Sequence, residues 1–262
     1  MRDFQNSLPM ISLDLNSLLT LFMIHVRVIS FLLMVPFFGR ELLPNTFKAF
    51  FATALSFMLF LYTDQKPIEF ATTGHFFLAV LKEFLFGFFS GLFLRLIFDA
   101  VVMAGEIIGI NTGLSIATLF LPQQPQASVF SAFFMLLFTS FFLSVGGPEI
   151  VFLSLANSLS KVPLGNFDLY SINPDVFLKL FYESFNLVFR ISLPIVLSML
   201  LLNLTLALLN RFIPQINIFV VGLPLQVFLG FALLVVLFPL ISYLLSSHLK
   251  EYIIKFSRAV GG

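Results

Sequence analysis

The sequence predicts an all-α, polytopic integral membrane protein built from long kinked helices and helical hairpins. Composition is the first reason: of 262 residues, 59% are hydrophobic and 10% charged, against about 25% charged in a soluble domain. The mean hydropathy is +1.05. The second reason is pattern. The apolar residues fall into six long unbroken stretches, each reaching the ~20 residues that cross a ~30 Å hydrocarbon core as a helix. Strands of a membrane barrel would be ~10 residues long and would alternate. The abundant Phe, Val and Ile favour strands in water. In an apolar medium the backbone must satisfy its own hydrogen bonds, so the helix prevails.

The stretches run, in order, Ser17–Phe38, Leu42–Tyr62, Phe76–Phe98, Ala127–Leu155, Phe177–Leu209 and Leu223–Ser246. Turn chemistry separates them. Gly39 and Pro44 close the first. Asp64, Lys66, Pro67, Glu69 and Gly74 lie between the second and third. Pro122 and Pro125 precede the fourth, Pro163, Gly165 and Pro174 the fifth, and Arg211–Pro214 with Gly222 and Pro224 the sixth. A seventh, ambiguous stretch, Ala100–Leu121, is apolar but carries Gly105, Glu106, Gly109, Asn111, Thr112 and Gly113. Arg2 followed by Asp3, and the length of the first apolar run, argue against a cleaved signal peptide. Lys250, Lys255 and Arg258 against Glu251 favour a cytoplasmic C-terminal tail. No internal repeat is evident, and the chain reads as one membrane domain over residues 1–262.

Several function classes are disfavoured. A net charge of +1 offers no basic face for nucleic acid. The chain has no cysteine and three scattered histidines, His25, His75 and His248, so thiol chemistry is excluded and clustered metal ligands are missing. No GxSxG or HExxH motif is present, which disfavours an intramembrane hydrolase. No cofactor is expected. Broken helices and intramembrane charges are hallmarks of secondary transporters, and a small-solute transporter is the alternative reading.

Charges inside the stretches each cost at least ~2.5–3.5 kcal/mol at mid-membrane. Arg95 and Asp99, and likewise Lys179 and Glu183, stand at i and i+4 and are expected to pair along their own helices. Arg27 and Arg190 have no local partner. Either they snorkel to a headgroup region, or their helices pack into a larger assembly with water nearby. Gly87 and Gly91 form one GxxxG, and Gly105, Gly109 and Gly113 a longer one, a spacing that grooves a helix for close approach of another. In the second set, the glycines coincide with Glu106, Asn111 and Thr112. That stretch is either routine packing or a segment that bends, breaks or re-enters as a constriction. Pro194 is expected to kink the fifth helix. Asn203 and Asn210 are candidates for interhelical hydrogen bonds.

Five groups of residues together resemble one family. They are Arg27 with Pro36–Gly39, Pro44 and Lys48; Glu83 with Gly87 and Gly91; Ala104–Gly109 with Gly113–Thr118; Val162–Gly165; and Asn210–Phe219, containing Arg211, Pro214 and Asn217, followed by Gly222 and Pro224. In order and spacing they are similar to the FliR/SctT family of type III secretion export-gate subunits, nearer its flagellar branch. The resemblance covers nearly the whole chain. It implies a structural, non-enzymatic subunit of the bacterial inner membrane at the flagellar basal body. Such a subunit assembles with FliP and FliQ, near FlhB and FlhA, into the entrance of a channel for unfolded flagellar proteins. It further implies that residues up to about 170 are FliP-like, with a pore plug near 105–122 that includes Gly105, Glu106, Gly109, Asn111, Gly113 and Pro122. Residues from about 171 would form a FliQ-like hairpin and short tail. Gly87, Gly91, Arg95, Asp99, Arg211, Pro214, Asn217, Gly222 and Pro224 would then serve helix packing and assembly.

Overall fold

The computed structural model describes residues 14–36, 44–63, 68, 70, 72–114, 128–168, 174–213 and 218–260. Within them the regular structure is helical: α1 (Leu15–Met34), α2 (Asn45–Thr63), α3 (Thr73–Asn111), α4 (Val129–Ser144), α5 (Gly147–Lys161), α6 (Pro174–Phe212) and α7 (Ile218–Val260). Five of these are long and apolar enough to cross a membrane, or six if the bent α4–α5 pair counts as one span. The expected all-α membrane architecture is observed.

The ambiguous Ala100–Leu121 stretch is divided rather than separate. Its first part, to Asn111, extends the third apolar stretch into a helix of 39 residues. The glycines at 105 and 109 therefore do not break the helix. The helix ends where Gly113 takes φ +77°, a left-handed conformation that is cheap for glycine and stops helices. The fourth stretch divides instead. Gly146 (φ +77°) separates α4 from α5, and the two helices are bent by 65°. Pro148 fits the first turn of α5, where no backbone donor is needed. Two helices outrun expectation: α5 continues to Lys161, and α7 absorbs the supposed tail as far as Val260. Amphipathic polar residues such as Lys250 and Glu251 belong to that helix. Helix α6 runs unbroken through Pro194.

The chain forms two compact units, interleaved in sequence. The first comprises residues 1–92, 152–172 and 260–262, the second residues 93–151 and 173–259. In the first unit the core gathers on α1 and the first half of α3, with Met23, Ile24, Val28, Phe31, Phe86 and Leu159 buried. In the second, the latter half of α3 packs with α4 through Phe98, whose ring meets Phe138 and Phe142 edge-on at 4.8 and 5.5 Å. Helices α6 and α7 run antiparallel in this unit. Gln226 donates to Asn203 at 2.5 Å near their connection, and Lys255 donates to Glu183 at 2.6 Å towards their far ends. Asn203 thus makes the interhelical bond expected of it.

Candidate functional site: a buried charge cluster and a glycine-grooved helix junction

Three of the five sequence groups converge in the first unit. Arg27 on α1 is 1% exposed and Glu83 on α3 is 0% exposed. Arg27 Nε donates to Glu83 Oε2 at 2.5 Å, and Nη2 donates to Glu83 Oε1 at 3.1 Å, the two-pronged geometry that a planar guanidinium makes with a carboxylate. The fork has donors to spare. Nη1 reaches Ser158 Oγ on α5 at 3.1 Å, and Nη2 also reaches the Val162 carbonyl at 3.0 Å. Glu83 Oε1 in turn accepts the Gly165 N–H at 2.7 Å. The Phe86 ring lies 4.4 Å from the guanidinium carbon, a cation–π contact.

Arg27 therefore does not snorkel. Its partner lies on another helix, 56 positions along the chain, and the pair pins α1, α3 and the turn after α5 to one point. Gly165 holds φ +78°, which turns its N–H towards Glu83 at a conformation L side chains avoid. Next to the ion pair, α1 and α3 touch backbone to backbone. A Cβ on Gly87 would overlap the Ser30 hydroxyl and the Arg27 carbonyl, and one on Gly91 would sit 2.5 Å from the Phe31 carbonyl. The GxxxG groove expected from the sequence is thus real and holds α1.

The second unit has a related junction. A Cβ on Gly105 would come within 2.5 Å of Ser131 Cα, so α3 presses directly on the start of α4. Ser128 caps α4, its side chain accepting from Ser131 N–H at 3.3 Å. Glu106 Oε1 accepts from Ser128 N–H at 3.1 Å and from Ser131 Oγ at 2.7 Å. A carboxylate at a helix N-terminus is favourably placed for the exposed donors and the helix dipole. Gly109 is buried, and Asn111 donates back to the Ile107 carbonyl at 2.7 Å. Pro122 lies outside the described residues.

The remaining expected positions are distributed. Arg95 and Asp99 make the foreseen i,i+4 pair at 2.9 Å, with side chains 45% and 50% exposed. The expected Lys179–Glu183 pair gives way to a bond across helices: Glu183 pairs with Lys255, which also holds Glu251 at 2.7 Å. Arg190 donates to Asn186 at 2.7 Å on the exposed side of α6. Arg211 is exposed at the end of α6. Gly222 is buried and Pro224 exposed in the first turns of α7, while Pro214 and Asn217 lie outside the described residues. Participants missed in the sequence include Ser158, Ser128 and Ser131. Isolated serines in apolar helices carry no spacing signal. Among the described residues, no group of three His, Asp or Glu side chains could hold a metal ion.

Residues 18–252 match the family described as bacterial export proteins, family 1. Similar proteins include flagellar biosynthetic protein FliR of Aquifex aeolicus, 46% identical over 90% of this chain and 91% of the relative. FliR of Bacillus subtilis is 30% identical over 85% and 88%, and FliR of Escherichia coli 31% identical over 83% of each. With the family match spanning every helix from α1 into α7, and the converging groups being those by which the sequence resembled it, the chain belongs to the bacterial export proteins, family 1, together with the flagellar FliR proteins.

Proposed function

We propose that the chain is a structural, non-enzymatic subunit of the flagellar export gate in the bacterial inner membrane. It assembles with FliP and FliQ, near FlhA and FlhB, around the entrance of a conduit for unfolded flagellar proteins. The observation that carries this reading is charge on uncovered apolar helices. Only 17% of the apolar window is buried in α2 and in α7, and Phe50 and Phe228 are 74% and 71% exposed. Lipid would suit those rings. It would not suit Arg190, exposed on α6 roughly 24 Å from the helix start at 1.5 Å per residue, nor the exposed Arg95–Asp99 pair midway along α3. Each such charge facing hydrocarbon costs about 2.5–3.5 kcal/mol or more. Sister subunits or a wet conduit remove that cost.

The division into a FliP-like part up to about 170 and a FliQ-like hairpin from about 171 belongs to the same proposal, supported by the antiparallel α6–α7 pair. Expressed alone, the chain should aggregate on extraction. Co-expressed with FliP and FliQ, it should elute as one complex containing all three. A monodisperse monomer that ignores both partners would overturn the reading.

The plug also belongs to the proposal. The stretch from Gly105 to Pro122 would close the pore, its α3 portion anchored on α4 through Gly105 and Glu106. Leucine at the buried Gly109 should then raise ion conductance of the assembled complex by disturbing closure. Wild-type conductance in a normally assembled complex would remove the plug from the proposal.

A further inference from the structure

The end of α3 meets the middle of α7 at a contact to which the export reading gives no role. Thr112 and Met199 are fully buried, and Gly230 of α7 is buried with them. A Cβ on Gly230 would overlap the Thr112 methyl and would stand 3.1 Å from Thr112 Cβ and 3.3 Å from Met199 Cε. Gly230 therefore leaves a notch in α7, and the Thr112 methyl fills it. One residue on, a Cβ on Gly113 would meet Leu223 and Gln226 of α7 at 3.0 and 3.3 Å. Gln226 is itself tied to Asn203 of α6, so the end of α3 rests on the α6–α7 pair.

The polar groups at this end are satisfied without α7. The Asn111 amide donates to the Ile107 carbonyl at 2.7 Å, the Thr112 hydroxyl to the Gly109 carbonyl at 3.1 Å, and the Gly113 N–H to the Ile110 carbonyl at 3.3 Å. Drawing Thr112 away from Gly230 therefore breaks none of these bonds. Six residues earlier the situation reverses: Glu106 is bonded to Ser128 and Ser131 of α4, which resists a pull on the helix. The partner surface also bends easily. Pro224 and Pro239 lie within α7 on either side of Gly230, and each removes a backbone donor from the helical ladder. We propose that the Thr112 methyl in the Gly230 notch is a latch, engaged here, that must leave α7 before the conduit admits a polypeptide. The inference rests on the export reading and names a moving contact within it.

The chain has no cysteine, so a reversible lock can be placed at the contact. The Cβ separation of 3.1 Å is within a few tenths of an ångström of the ~3.5–4.5 Å that a disulfide spans. The test uses Thr112→Cys/Gly230→Cys as the sole copy of the chain in the assembled apparatus of living flagellated cells. Reduced, the variant should export flagellar proteins. Copper phenanthroline should close the disulfide, seen as loss of maleimide labelling, and bring export down to that of cells lacking the chain. Dithiothreitol should restore it. Each single-cysteine variant should export equally with and without oxidant. Export that continues through an oxidised pair, or a pair that stays open to labelling after oxidant, overturns the latch and leaves the export reading standing. Undiminished export from cells lacking the chain overturns the export reading, and the latch with it. Should the reduced double variant fail to accumulate, a second pair decides. Gly230→Ala should push the methyl out and make the assembled complex leak ions. Thr112→Ser removes that methyl and keeps the hydroxyl, so Thr112→Ser/Gly230→Ala should close again. A double variant no tighter than Gly230→Ala alone overturns the latch.

Discussion

Glu83→Ala should strip the chain from the membrane fraction and leave the remainder open to protease. The substitution strands a guanidinium that is 1% exposed, with two of its hydrogen bonds gone. Removing one partner of a buried ion pair costs about 3–5 kcal/mol, a large share of the ~5–15 kcal/mol that holds a typical domain folded. Arg27→Ala should be comparably harmful, because the buried carboxylate then keeps only the Gly165 N–H. Arg27→Lys should rescue little, since an ammonium cannot span Glu83, Ser158 and the Val162 carbonyl at once. The more searching variant is the exchange Arg27→Glu/Glu83→Arg, which preserves charge. It should still fail. The exchange would aim a carboxylate at the Val162 carbonyl and a guanidinium at the Gly165 N–H, acceptor against acceptor and donor against donor. An exchanged pair that accumulates and resists protease like the wild type would show that the cluster acts by charge alone and that its directed hydrogen bonds contribute nothing. Removal of both residues together should cost less than the sum of the two single changes, the signature of direct coupling.

What could be read beforehand divides along a physical line. Features set by local spacing were legible: the helix class, the apolar lengths, the Arg95–Asp99 pair, and the Gly87–Gly91 groove, whose occupant alone was unknown. Features set by distant contacts were not. Arg27 had no partner within its own helix, so spacing left snorkelling or packing into a larger assembly, while the partner stood on α3 of the same chain. Glu183 had Lys179 one turn away, yet it pairs with Lys255 on α7, a contact that exists only once the two long helices are antiparallel. Glu106 looked like an unsatisfied charge in a breakable segment. It is held by the N-terminus of α4, whose start at Ser128 follows two prolines and could not be placed against α3 from sequence. Continuous hydropathy also hid the break at Gly146. Phe142 and Leu143 on one side and Ile150 and Val151 on the other read as a single apolar run, although Gly146, Gly147 and Pro148 supply the chemistry of a turn.

Gly87→Ala should be nearly as damaging as breaking the ion pair, though it adds one methyl group. Overfilling a packed site ordinarily costs about 1–3 kcal/mol, because side chains rearrange around the intruder. Here one of the two atoms in the way is the Arg27 backbone carbonyl, which moves only if α1 moves. Gly87 stands one turn from Glu83 on the same face of α3. Pushing α1 away therefore stretches the bond between Glu83 and Arg27, and the steric cost adds to a partial loss of the ion pair. Ser30→Ala should relieve the other overlap and restore only part of the stability, since the carbonyl remains. Gly74→Ala provides the comparison. A Cβ there meets nothing closer than 3.9 Å, and alanine favours helix over glycine by about 1 kcal/mol, so that variant should be neutral or slightly more stable. Thermal unfolding of the four proteins in isolated membranes, followed by protease resistance after heating, gives the order: Gly74→Ala at or above wild type, the Gly87→Ala/Ser30→Ala pair below it, Gly87→Ala lowest. If Gly87→Ala instead melts with the wild type, α1 and α3 are separable without consequence, and the buried pair cannot be what holds them together.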